Sequence, residues 1–143
     1  IGKKVLLVGA GGVARAIAYV IAQKNPAQFF ITNRTKTKAF SLIKEYDGEL
    51  IDIKQISEVL GEVDVVINAT SIDQHKKIMP LLKKEAVYYD TNYRFNLPHY
   101  ENIKVINGIT MLVYQAAYSF SIWTRKMPPI KIMKKTIGEV KID

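Results

Sequence analysis

The sequence predicts a three-layer α/β fold, a doubly wound and mostly parallel sheet with helices on both faces. Two observations carry this reading. Short apolar, β-branched runs alternate with segments of helical period along the whole chain. The first such run ends in a glycine cluster and passes directly into a helical pattern, the connection that a parallel strand makes. With 143 residues, 48% of them hydrophobic, the chain suffices for one domain with a proper core.

The elements follow in order. Residues 4–8 form an apolar strand, and Gly9 to Gly12 break it. Val13, Ile17, Val20 and Ile21 then recur at helical spacing until Pro26 ends that helix. Residues 28–32 read as a second strand. Thr35 is the N-cap of a helix through Tyr46, with Ala39, Leu42, Ile43 and Tyr46 as its inner stripe. Asp47-Gly48 is a turn. A short third strand is expected at 50–53, a short helix at 56–60 and a fourth strand at 63–68. A helical turn at 79–84, a fifth strand at 87–90 and a brief sixth at 105–107 complete the alternation. Residues 109–125 form the longest helix, in which Leu112, Ala116, Ser119, Phe120 and Trp123 are spaced as the inward stripe. Pro128-Pro129 separates it from a last amphipathic helix.

Composition narrows the function classes. There is no cysteine, so disulfides and thiolate metal sites are excluded. No apolar run approaches the roughly 20 residues of a membrane span, and none has the form of a leader, so a cytoplasmic location and no membrane partner are expected. The chain opens on Ile1 and enters a strand almost at once. We therefore expect residues 1–143 to be the second half of a longer polypeptide. Homodimerisation stays open.

The formal charge is +8, and its placement says more than its size. Lys3, Lys4, Arg15, Lys24, Arg34, Lys36, Lys38 and Lys44 all precede the first carboxylate, Glu45. The rest of the chain is balanced. A basic segment wrapped around a glycine loop suits a small, multiply charged anion. It lacks the interleaved aromatics of a nucleic-acid surface, so no nucleic-acid partner is expected.

The loop itself is Gly9-Ala10-Gly11-Gly12-Val13-Ala14, between a strand and a helix. This is the G-x-G-x-x-A dinucleotide fingerprint of a Rossmann-type fold. Gly9 permits the tight turn, Gly11 lets backbone approach a pyrophosphate, and Ala14 lets the helix pack closely on the strand. The pyrophosphate then meets the unpaired N–H groups and positive dipole end of the helix.

The end of the second strand selects between cofactors. An NAD site carries an acidic residue there, which accepts hydrogen bonds from the adenosine ribose. Here Asn33-Arg34-Thr35-Lys36-Thr37-Lys38 stands instead. Arg34 can clamp a 2′-phosphate or stack on adenine, Thr35 adds a hydroxyl, and Lys38 lies a turn further on. The expected cofactor is NADP(H).

Several segments together resemble the shikimate dehydrogenase family. VLLVGAGGVARAIAY is similar to that family's glycine loop and first helix, and ITNRTKTKA to its Asn-Arg-Thr-x-x-Lys segment. VVINATS is similar to its fourth-strand end, and YYDTNYRFNLP to its Asp-x-x-Tyr stretch. NGITMLVYQAAYSFSIWT matches its Gly-x-x-Met-Leu-x-x-Gln signature. The resemblance implies a C-terminal NADP-binding domain of an enzyme that interconverts 3-dehydroshikimate and shikimate in aromatic amino-acid biosynthesis. It implies cofactor contacts from Gly9, Ala10, Gly11, Gly12, Val13 and Ala14 at the pyrophosphate and from Asn33, Arg34, Thr35 and Lys38 at the 2′-phosphate. Asn68, Ala69, Thr70 and Ser71 would line the ribose and nicotinamide side, with Tyr93, Gly108 and Met111 near the nicotinamide. Gln115 would reach the substrate hydroxyls. By spacing, Met111 and Gln115 lie one turn apart on a common helix face.

Two stretches depart from the family pattern. Ser71-Ile72-Asp73-Gln74-His75-Lys76 lacks the usual Pro and Gly, and Arg94-Phe95-Asn96-Leu97-Pro98 replaces the usual run after the tyrosine. The family's catalytic Lys–Asp pair belongs to its N-terminal substrate domain, and no motif in this chain corresponds to it. No catalytic residue and no metal ligand is expected within the chain, which alone would hold cofactor without turnover. His75 and His99 are expected at the surface or in turns. The alternatives are a quinate dehydrogenase, a glutamyl-tRNA reductase-like domain, which the Gly108–Gln115 signature disfavours, and a free-standing NADP(H)-sensing module.

Overall fold

A computed structural model describes residues 2–139. Six strands form one sheet: β1 (Lys4–Val8), β2 (Gln28–Thr32), β3 (Glu49–Leu50), β4 (Val65–Asn68), β5 (Val87–Asp90) and β6 (Lys104–Ile106). Their order is β3-β2-β1-β4-β5-β6, and every pairing is parallel. This is the doubly wound order of the Rossmann fold, with its topological switch between β1 and β4. The register places Val8, Thr32 and Asn68 side by side at the C-terminal edge, with Asp90 next to Asn68.

The β1 run is apolar at every central position because it feeds two cores. Val5 and Leu7 join Phe29, Ile31 and Ile67 beneath α1 (Gly12–Ala22) and α2 (Lys36–Tyr46). Leu6 and Val8 join Phe30, Val66 and Tyr88 on the other face, beneath α3 (Ser57–Leu60), α4 (His75–Ile78) and a 3-10 turn at Met79–Leu81. The long helix α5 (Ile109–Thr124) leaves β6, and α6 (Ile130–Glu139) packs on it. Among the described residues no helix is long and apolar enough to cross a membrane.

Four expectations are corrected. The first helix packs through Ala14 and Ala18, which let it sit close to the sheet, so Val13 and Val20 face outward. The third strand occupies 49–50 rather than 50–53, because only Glu49 and Leu50 find partners on β2. The stretch after Ser71, free of Pro and Gly breakers, winds into α4 and carries His75 inward to 7% exposure. Finally, α5 buries Val113 and Ala117, while Phe120 and Trp123 are 42% and 80% exposed. That helix is apolar on most sides, so spacing alone does not select its inner face.

Candidate dinucleotide crevice

Two adjoining cavities lie along the C-terminal edge of the sheet, at the switch point. One, of about 300 Å³, runs over Gly9, Ala10 and Gly11 to Asn33 and Arg34. The other, of about 510 Å³, lies between Val13, Thr91, Asn92, Tyr93, Met111 and Gln115. Ala69, Thr70 and Ser71 belong to both, so they form a shared wall of one crevice.

The glycine loop divides into two kinds of glycine. Gly9 has φ +117°, and a Cβ there would stand 2.8 Å from the Ala69 carbonyl oxygen. Its N–H donates to the Thr32 carbonyl at 2.8 Å, which seats the turn on β2. Gly11, the N-cap of α1, has φ −87° and ψ −171°, a conformation that any residue adopts. A Cβ at Gly11 or Gly12 would meet nothing within 4 Å. The fold therefore needs glycine at position 9 but not at 11 or 12, where the missing side chains leave the helix end open. No side chain caps that end. An uncapped helix N-terminus facing open space fits a pyrophosphate.

Ion pairing sorts the cations of the basic segment. Lys3 and Lys4 reach Asp64 and Glu62, Arg15 pairs with Glu45, and Lys36 lies 2.7 Å from Asp52. Arg34 and Lys38 have no acidic partner among the described residues, and both are exposed. Asn33 Nδ2 donates to the Thr35 carbonyl at 2.9 Å, which closes the short turn that presents Arg34 to the crevice. Thr35 occupies the N-cap of α2 without using its hydroxyl there.

Comparison with known proteins assigns the family. Residues 1–90 match the family described as shikimate / quinate 5-dehydrogenase, and residues 108–137 match the shikimate 5′-dehydrogenase C-terminal domain. The chain belongs to the shikimate/quinate 5-dehydrogenase family. It is 36% identical to shikimate dehydrogenase (NADP(+)) of Methanothrix thermoacetophila over 95% of this chain and 54% of that protein. A shikimate dehydrogenase solved with NADP+ has 32% identity and a TM-score of 0.76, over 99% of this chain and 55% of that one. The Thermus thermophilus enzyme solved with NADP(H) and shikimate has 25% identity and a TM-score of 0.76, over 94% and 54% of the two chains. The chain thus spans about half the length of these relatives.

Within this family member, most residues singled out from the sequence meet in the crevice. Gly9, Ala10, Gly11, Asn33, Arg34, Ala69, Thr70 and Ser71 line its first cavity, while Val13, Tyr93, Met111 and Gln115 line the second. The others stand elsewhere. Gly12 is exposed at the open helix end, Ala14 is buried beneath it, and Thr35 and Lys38 are exposed on α2 and its cap. Gly108 is buried where a Cβ would lie 2.0 Å from the Thr91 carbonyl oxygen. Asn68 is fully buried behind the wall it was expected to line. Its Oδ1 accepts from the Thr70 N–H and hydroxyl at 3.2 and 2.7 Å, and its Nδ2 donates to the Ile72 carbonyl at 2.9 Å. It shapes the loop rather than presenting an amide to the crevice.

Sequence reasoning missed several wall residues. Thr91, Asn92, Arg94, Phe95 and Leu112 line the larger cavity, and Ile53, Ile72 and Gln74 the smaller. The position of Thr91 and Asn92, just past the end of a central parallel strand, is the signal that could have found them. Among the described residues, Arg94 is the one charged residue in the wall of the larger cavity.

Among the described residues, His75, Asp90 and Tyr88 are buried ionisable groups beside this end. His75 Nδ1 is 2.5 Å from Asp73 Oδ1 without hydrogen-bond alignment. Burial raises the Asp90 carboxyl above the usual carboxylate range, against hydrogen bonds from Asn68, the Asn92 N–H and Tyr88 that act the other way. The same burial, reinforced by the Asp90 charge, raises the Tyr88 phenol.

Proposed function

We propose that this chain is the NADP(H)-binding half of a shikimate dehydrogenase, which reversibly reduces 3-dehydroshikimate to shikimate in aromatic amino-acid biosynthesis. The observation that carries the reading is the adenosine end of the crevice, where Arg34 stands without a carboxylate to neutralise it. An acid at this point would repel a 2′-phosphate. An unpaired guanidinium on a held turn recognises one through charge-assisted hydrogen bonds. The names of the relatives, NADP-dependent dehydrogenases, support the same reading. A cytoplasmic location is part of it.

Bound NADPH supplies the hydride. The chain's own residues bind and orient. Backbone at Gly9, Gly11 and Gly12 receives the pyrophosphate on the α1 end, with Ala14 holding that helix against β1. Arg34, Thr35, Lys38 and Asn33 hold the adenosine phosphate. Thr70 and Ser71 face the ribose side, Met111 packs beside the nicotinamide, and Gln115 reaches a substrate hydroxyl. Reduction of a ketone also needs a proton donor at its oxygen. We assign that donor, and most of the substrate site, to sequence outside this chain. The chain alone therefore holds NADPH without oxidising it when 3-dehydroshikimate is added.

Fluorescence titration with NADPH and NADH tests the cofactor assignment. Arg34→Ala is expected to cost about 1.5–3 kcal/mol of NADPH affinity, about ten- to a hundredfold, and to leave NADH affinity almost unchanged. Equal losses for both cofactors would remove Arg34 from the 2′-phosphate. Quinate is the second substrate reading, because Arg94 and Phe95 stand in the wall where the family's usual run is replaced.

A further inference from the structure

Asp90 is a fully buried carboxylate with no cation beside it among the described residues. Burying an unpaired charge is costly unless donors satisfy it. Here the donors come from separate places. Asn68 Nδ2, at the end of β4, donates to Asp90 Oδ2 at 2.9 Å, and the Tyr88 hydroxyl donates to the same oxygen at 3.1 Å. The Asn92 N–H, in the loop after β5, donates to Oδ1 at 2.9 Å.

Each of the Asn68 and Asn92 ties leads onward to a wall of the larger cavity. Through Asn68 the carboxylate reaches the Thr70 hydroxyl and the Ile72 carbonyl, which fix the loop after β4. Thr91 binds that strand end as well, its N–H and hydroxyl both donating to the Asn68 carbonyl at 3.0 Å. Through Asn92 the carboxylate reaches α5, because the Gly108 N–H donates to the Asn92 carbonyl at 3.3 Å. Gly108 also presses against the Thr91 carbonyl closely enough to exclude a Cβ. From that contact α5 carries Met111 and Gln115 into the cavity.

We propose that Asp90 is a positioning residue, which fixes the spacing of the loop after β4, the loop after β5 and the start of α5. It touches no ligand, yet it sets the shape of the nicotinamide end. This rests on the dinucleotide reading given above. A carboxylate suits the task because it only accepts, and the groups converging on it donate. An asparagine would turn an N–H₂ towards one of those donors and loosen at least one wall.

The adenosine half of the ligand lies at the far end of the crevice, so a fragment separates positioning from folding. Adenosine 2′,5′-bisphosphate reports on the Arg34 end alone, and NADPH reports on both ends. For Asp90→Asn, calorimetry is expected to show the bisphosphate within about twofold of wild type and NADPH weakened about fivefold or more. Tyr88→Phe removes a donor that belongs to β5 itself and to neither loop. It is expected to lower thermal stability and leave the ratio of the two affinities unchanged. Asn68→Ser cuts the tie to the loop after β4 from its other side, with the same expected loss for NADPH alone, and is read in place of Asp90→Asn if that variant does not fold. Equal weakening of both ligands, or of neither, overturns the positioning role. Wild-type protein that binds neither ligand overturns the dinucleotide reading and this inference with it.

Discussion

A Cβ added at Gly9 would sit 2.8 Å from the Ala69 carbonyl oxygen, whereas one at Gly11 would meet nothing within 4 Å. The two glycines of one motif therefore answer to different forces. Gly9→Ala forces a positive φ on a residue with a side chain and adds the clash, so it should cost about 2–3 kcal/mol in chemical denaturation. Gly11→Ala should change stability by less than about 0.5 kcal/mol. It should still weaken NADPH about tenfold or more, because its methyl group would occupy the place proposed for the pyrophosphate. A Gly11→Ala variant with native affinity would show that the ligand does not sit there. These residues were legible in the sequence because backbone approach and charge are local: small residues in a row and cations without acids can be read directly. The Asp90–Asn68 pair was not legible. Its partners are 22 positions apart, and no spacing rule links the ends of two strands.

At the scale of elements, β1, β2 and β5 fall where their apolar runs place them, since a strand buried on both faces has to be continuous. The sequence failed where an element depends on a neighbour. β3 is as long as its pairing with β2, and the inner face of α5 is chosen by what it packs on rather than by its own period. The entrance to β1 is held by one acid before β4. Asp64 accepts from the Lys4 N–H at 2.8 Å and from Lys83 Nζ at 2.9 Å. These contacts hold its carboxyl down to about 2. A carboxyl lowered by folding stabilises the fold above the ordinary unfolded value of about 4, and that contribution is lost as pH falls through about 2. Asp64→Asn is therefore expected to cost about 1 kcal/mol at neutral pH, allowing for solvent screening, and almost nothing near pH 2. Urea denaturation across that range measures it. A penalty that stays constant with pH would locate the effect in packing instead.

For the molecule as a whole, the strand order sets where a ligand can bind. That order reverses between β1 and β4, the connections after both strands diverge there, and the crevice opens in that gap. At the opposite end of α5 two large apolar side chains are exposed. Ile122 and Trp123 are 77% and 80% exposed, so replacing both with Ser should cost less than about 0.5 kcal/mol and leave NADPH affinity within about twofold. Loss of cofactor binding in that variant would tie the distal half of α5 to the crevice. The chain spans about half the length of the relatives it matches, and the reading proposed for it rests on the charge of Arg34 and Lys38. The most direct test of that account is calorimetry of wild-type protein with NADPH and NADH at low and high salt. The account predicts that NADPH binds about tenfold tighter or more at low salt, and that the difference shrinks as salt screens Arg34 and Lys38. Equal affinities at low salt, or no binding of either cofactor, would contradict it.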